Sequence, residues 1–105
     1  MTVSASSRFD MDSAKFTISI DGDFTFAETT EFIRLYSNVP DGAQACEIDF
    51  GRVEYMDSSA LGVLLLMKTE IESKGVKEIS LTNCASQILD ILTVCQYQEM
   101  FSINP

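Results

Sequence analysis

Val53-Glu54-Tyr55-Met56-Asp57-Ser58-Ser59-Ala60-Leu61-Gly62-Val63-Leu64-Leu65-Leu66 is the stretch on which the fold turns. Asp and Ser side chains accept hydrogen bonds from the free N–H groups of a helix's first turn. Asp57-Ser58-Ser59 directly before an apolar run therefore marks a helix start, with either Asp57 or Ser58 as the cap. The helix is expected from about Ser59 to Ser73, with Gly75 as its C-terminal stop. Ala60, Leu64, Met67 and Ile71 recur at helical spacing and form a core-facing stripe that Leu61 and Leu65 widen. Val63 and Leu66 fall beyond it, on the side of Ser59 and Gly62. Two readings stay open for that side: burial under another element, or an exposed apolar patch that binds protein. Gly62 carries the same ambiguity. A glycine inside a helix costs about 1 kcal/mol relative to alanine, and it admits close approach by a neighbouring helix or by a partner.

Upstream, Ala45–Phe50 reads as a strand with Cys46, Ile48 and Phe50 on one face, and Lys15–Ile20 alternates Phe16, Ile18 and Ile20 with polar residues. Asp21-Gly22-Asp23 turns the chain, and Thr25-Phe26-Ala27-Glu28 fits the capping box of a helix. That helix is expected to reach about Ser37, with Phe32, Ile33 and Tyr36 on one face, before Pro40-Asp41-Gly42 ends the region. Downstream, Glu78–Thr82 reads as a strand. Ser86 is expected to cap a helix through about Val94 with Ile88, Ile91, Leu92 and Cys95 facing inward, and Met100–Ile103 forms a last short strand. The Ser-rich start, residues 1–8, is expected to be flexible, with a short strand around Arg8–Met11. Strands alternating with helices give an α/β domain.

The chain has 105 residues, the size of one domain, and 46% apolar content, enough for a core. Its net charge of −9 repels phosphates and anionic lipid, which disfavours nucleic acid and membrane surfaces and favours a basic protein surface. No histidine occurs, which excludes Ser-His-Asp and Cys-His catalysis and His-ligated zinc. Cys46, Cys84 and Cys95 show no CxxC pairing and read as buried hydrophobes in a reducing cytoplasm. The start carries no secretory pattern, and the longest apolar run, Ala60–Met67, falls far short of the roughly 20 residues that span a bilayer. A cytoplasmic location is expected. Asp10, Asp12, Asp21 and Asp23 lack calcium-loop spacing and read as a solvated acidic surface. Asp49, Glu54 and Asp57 read as solubilising charges at strand ends, and no phosphate-binding GxxxxGK[ST] loop is present. No cofactor, metal or enzymatic activity is expected.

A hydroxyl at a helix N-terminus is well placed as a phosphorylation switch, because the phosphate meets free N–H groups and the positive end of the helix dipole. Asp57-Ser58-Ser59-Ala60-Leu61-Gly62 resembles the D-S-S-G-L-G signature of bacterial anti-anti-sigma factors (anti-sigma factor antagonists), members of the STAS domain family. The likeness covers nearly the whole chain: Ile18–Phe26, Ile48–Phe50, Ile79–Cys84 and the final helix with Phe101 after it match in order. It implies a single STAS domain over residues 1–105, with a mixed sheet of four to five strands and helices mainly on one face. It further implies partner switching. The unmodified protein binds an anti-sigma factor of the GHKL ATP-binding type, often the serine kinase itself, and frees a sigma factor. Phosphorylation of the first serine, here Ser58, ends binding, and a PP2C-type phosphatase restores it. The chain is also similar to members working beside response-regulator phosphatases. By position, Asp57 is the acidic neighbour, Ser59 the helix-side hydroxyl, and Gly62 permits close approach. Asp23, Thr25, Met56, Val63 and Leu66 complete the expected partner-binding set. Ala60 stands where the family usually has glycine, and Thr25 where many members carry an acid. Other STAS domains are scaffolds or accessory subunits of lipid-transport ABC complexes or stressosomes, and this is the alternative function.

Overall fold

A computed structural model describes residues 4–105. The elements run β1 (Ala5–Asp10), β2 (Lys15–Ile20), α1 (Phe26–Ser37), β3 (Ala45–Asp49), α2 (Ser58–Ser73), β4 (Glu78–Thr82), α3 (Ser86–Val94), a 3-10 turn (Tyr97–Glu99) and β5 (Ser102–Ile103). The five strands form one sheet in sequence order, β1 antiparallel to β2 and every later pair parallel. Each parallel step is a crossover through a helix and moves to the next strand in the same direction. Right-handed crossovers of that kind place α1, α2 and α3 on one face.

The period-2 pattern decides which side of the sheet is covered. Phe16, Ile18 and Ile20 of β2, Cys46 and Ile48 of β3, and Ile79 and Leu81 of β4 point to the helices and are buried. The intervening Ser19, Glu47, Asp49, Ser80 and Thr82 are half-buried on the opposite face. There Glu47 accepts from Lys15 Nζ at 3.1 Å and Thr82 Oγ1 at 3.0 Å. On the covered side Phe32, Leu35 and Tyr36 of α1, Ala60, Val63, Leu64, Met67 and Ile71 of α2, and Ile88 and Leu92 of α3 close the core.

Gly75 ends α2 as its position predicted. It adopts φ +101°, a left-handed conformation that favours glycine. Its N–H donates to the Glu72 carbonyl at 3.1 Å and the Val76 N–H to Ile71 at 3.1 Å, the two bonds of a Schellman cap.

Several expectations need correction. Residues 1–3 lie outside the described residues, but the rest of the start expected to be flexible is strand: β1 begins at Ala5, whose partner across the sheet is Ile20. Alternation with polar residues on one edge strand is a weak signal, which is why it reads as loop. In α1 Leu35 is buried and Ile33 exposed, because the helix packs on the 32–35–36 side. α2 starts one residue early, at Ser58, and β5 begins only at Ser102. Ala85 rather than Ser86 precedes α3, and no side chain caps that helix. Ile91 is half-buried and Cys95 exposed, since α3 ends at Val94 and the chain then turns through Gln96 at φ 62°.

Candidate functional site

The N-termini of α1 and α2 meet at one point. A single parallel bridge pairs Phe24 with Met56. Phe24 N–H donates to the Tyr55 carbonyl at 2.9 Å, and Asp57 N–H donates to the Phe24 carbonyl at 3.2 Å. Phe24 itself is anchored in the core, its ring 5.1 Å from that of Phe32 and 6.3 Å from that of Phe50. The loop before α1 is thereby fixed beside the loop before α2.

Asp57 joins the two helices. Its Oδ1 accepts from the Ala60 N–H at 3.0 Å, capping α2, and its Oδ2 accepts from the Phe26 N–H at 3.0 Å, in the first turn of α1. One carboxylate thus faces the positive ends of two helix dipoles. α1 has its own cap as well. The Glu28 carboxylate accepts from both the Thr25 N–H and Thr25 Oγ1 at 2.8 Å, closing the expected capping box.

Ser58 is the first residue of α2, and its side chain is exposed. From it the outward stripe of α2 continues through Gly62, Leu65, Leu66 and Thr69, all exposed. Ser59 and Asp57 are half-buried, Asp23 is exposed and Thr25 is half-buried. Met56 and Val63 are core residues, 3% exposed each, so their side chains are closed to a partner. Burial was one of the two readings for Val63, and it holds; Leu66 is 61% exposed. A Cβ at Gly62 would meet nothing within 4 Å. No neighbouring element of the described chain therefore needs that glycine, and its open side faces solvent. Ala60 is fully buried, so its methyl group fills core space. The α2 backbone is braced by Tyr97, whose hydroxyl donates to the Leu61 carbonyl at 2.7 Å. Burial, and then the charge at Cys95, push the Tyr97 phenol above its ordinary pKa.

Two residues at the site escape the sequence reading: Phe26, 73% exposed, and Tyr55, 55% exposed. A signal for Phe26 exists, since it shares its helical phase with the exposed Ile33, not with Phe32 and Tyr36. Tyr55 lies in an irregular segment with no period to place it. The four aspartates read as one acidic surface are separated: Asp10 and Asp12 sit at the β1–β2 turn and Asp21 and Asp23 beyond the other end of β2. Asp10 accepts from the Asp12 N–H at 3.0 Å, and Asp21 pairs with Arg52 at 3.1 Å. Among the described residues no three His, Cys, Asp or Glu side chains gather as metal ligands. No helix there is long and apolar enough to cross a membrane.

A family model described as "Mlab, STAS domain" matches residues 7–101. A STAS-domain containing protein of Pseudomonas aeruginosa is 32% identical over 93 residues, 89% of this chain and 91% of its own length. A Thermotoga maritima structure assigned as an anti-sigma factor antagonist shares the fold with a TM-score of 0.81 at 15% identity, over 95% of this chain and 85% of that one. A sulfate transporter family protein from Wolinella succinogenes does so at 0.78 and 13%, over 92% and 80%. The anti-sigma factor antagonist SpoIIAA in its unphosphorylated form does so at 0.67 and 17%, over 93% and 86%. At such identities the structural likeness speaks for the fold.

Proposed function

The chain belongs to the STAS domain family, and we propose that within it this protein is an anti-sigma factor antagonist that switches partners through phosphorylation of Ser58. The unmodified form binds a GHKL-type anti-sigma factor or serine kinase in the cytoplasm and frees a sigma factor. A PP2C-type phosphatase, in some systems fused to a response regulator, restores that form. The protein is the substrate of this chemistry and not its catalyst.

The observation that carries the reading is the placement of Ser58. It is an exposed hydroxyl at the first position of α2, next to a carboxylate that already serves two helix ends, and at the head of an outward stripe with an open glycine and an exposed leucine. A phosphate adds about 1.5–2 negative charges there. Asp57 and Glu54 are near in the chain, the segment of Asp23 is joined there through the Phe24–Met56 bridge, and none of the three is a neutralising cation. A partner that buries the stripe must then desolvate an unpaired dianion, a cost of several kcal/mol. Since about 1.4 kcal/mol is tenfold in affinity, one phosphate weakens binding a hundredfold or more.

Intact-mass analysis of protein recovered from its cells tests the acceptor. The wild type gains the mass of one phosphoryl group and Ser58→Ala does not; a Ser58→Ala variant phosphorylated like the wild type refutes the assignment. With the anti-sigma partner, Ser58→Asp binds at least tenfold more weakly than Ser58→Ala, and equal affinities refute the charge mechanism. The second reading, an accessory STAS subunit of a transport or stressosome-like assembly, draws on the transporter-family likeness. It predicts a stable large complex indifferent to Ser58→Asp.

A further inference from the structure

We propose that Phe26 and Tyr55 are the aromatic anchors with which this chain grips the partner that Ser58 controls, and that the partner offers an apolar pocket with a basic rim. The inference rests on the partner-switching reading and assigns the residues that supply its binding energy.

Of the seven phenylalanines, Phe16, Phe24, Phe32, Phe50 and Phe101 are buried and Phe9 is half-buried; Phe26 alone stands in water. Nothing in the fold requires a large ring there, because the first residue of α1 points away from the 32–35–36 core face. Its position is nonetheless tightly fixed. The Phe26 N–H is held by Asp57 at 3.0 Å and the preceding residue by the Glu28 carboxylate. The Tyr55 carbonyl is held by Phe24 at 2.9 Å. The two rings therefore leave the backbone from the two segments joined at the Phe24–Met56 bridge, within a few residues of Ser58. A ring on a fixed backbone, with two free torsions, loses little entropy on docking, and buried aromatic anchors dominate many interfaces. Asp23 and Glu54 are exposed acids within three residues of the two rings in the chain, Arg52 nearby is paired with Asp21 at 3.1 Å, and the chain carries a net charge of −9. Complementarity then requires Lys or Arg around the partner's pocket. Leu66 and the open backbone at Gly62 extend the same outward face along α2. A phosphate on Ser58 stands where that pocket must close.

A photocrosslinking experiment in the native cells tests this. p-Benzoylphenylalanine is placed at position 26 or 55 of the full chain carrying Ser58→Ala, and at Met11 or Val94, 83% and 82% exposed and outside the two bridged segments, as controls. The expected result is one adduct from positions 26 and 55, identified by mass spectrometry as a GHKL-type ATPase, absent from the controls and lost with Ser58→Asp. With that ATPase purified, Phe26→Ala and Tyr55→Ala each weaken binding about thirtyfold, the mark of an anchor, at unchanged melting temperature. The proposal is overturned if positions 26 and 55 crosslink no better than 94, if the adduct is of another class, or if both alanine variants bind like the wild type while Ser58→Asp does not. Should both alanine variants weaken binding while Ser58→Asp and Ser58→Ala bind equally, the anchors stand and the phosphorylation reading fails.

Discussion

Removing the Asp57 carboxylate should loosen two helices at once. In Asp57→Ala the Ala60 N–H loses its cap and the Phe26 N–H loses its acceptor, both now at 3.0 Å. Replacing an Asp N-cap by Ala costs about 1 kcal/mol. The second bond is also to a charged acceptor but sits at a more exposed edge, so roughly another 1–1.5 kcal/mol is expected. Asp57→Ala thus destabilises by about 2–2.5 kcal/mol, and at about 4–8 °C per kcal/mol for a domain of this size its Tm falls by roughly 10–15 °C. Asp57→Asn separates the two contributions. Its amide oxygen still caps α2, whereas its NH2 faces the Phe26 N–H and cannot accept, so the loss is about 1 kcal/mol. Equilibrium urea unfolding, with m-values compared to confirm an unchanged unfolding transition, measures both. If Asn costs nothing, the bond to Phe26 contributes nothing, and if Asn and Ala cost the same, the cap on the Ala60 N–H contributes nothing. If neither exceeds about 0.5 kcal/mol, within the range of an ordinary surface substitution, Asp57 does not join the helices.

Gly62→Ala should stabilise the free protein by about 0.5–1 kcal/mol, since the new methyl group meets nothing within 4 Å and alanine is the better helix former. It should at the same time weaken partner binding at least tenfold by calorimetry; undiminished affinity would show that no partner backbone approaches there. Thiol chemistry should divide the cysteines. Cys95 is exposed, whereas burial, helped by the Glu47 and Asp49 charges, pushes the buried Cys46 thiol up to about 12 and that of Cys84 to about 11. A disulfide reagent at pH 8 should therefore titrate one thiol in the native protein and three in urea, and three equally fast native thiols would refute this. The linked stability is full below the unfolded thiol pKa near 9 and is lost as pH rises toward about 12, because the unfolded chain releases those protons first. Cys46→Val should flatten that alkaline loss.

Regular periodicity made most of the fold legible. β2 and β4 have the boundaries that alternation predicts, and the Ala60–Leu64–Met67–Ile71 stripe is buried in full. What the sequence withheld was partnership. β1 is strand because Ala5 to Asp10 find Ile20 to Lys15 across the sheet, and a serine-rich segment does not announce such a neighbour. Leu35 and Ile33 lie about 200° apart on α1, on either side of the line through Phe32 and Tyr36, and the packing of the helix decided which of them turned inward. At the site, Ser58, Asp57 and Gly62 were legible because helix starts have a chemical grammar. The second bond of Asp57 was not, since its donor is 31 residues away, and nothing local marks a tertiary hydrogen bond. Phe26 lies inside a capping box whose pattern is defined by Thr25 and Glu28 and sets no requirement on the residue between them.

The division of α2 into two faces explains how a charge switch can leave the fold alone. Its inward stripe is fully engaged in the core, while Ser58, Gly62 and Leu66 carry little of the stability. A phosphate on Ser58 gains about 0.3–1 kcal/mol from the helix dipole, and it meets repulsion from Asp57 that water largely screens. These contributions oppose each other in the free protein, so under the proposed mechanism a phosphorylated form should keep the same structure at nearly equal stability. Only when a partner removes the water does the repulsion go unscreened, and there the cost reaches several kcal/mol. The information in the phosphate is therefore expressed in the interface and not in the domain. On the proposed reading, a rigid STAS core with its toggle on a solvated helix end suits that purpose better than a fold that must rearrange.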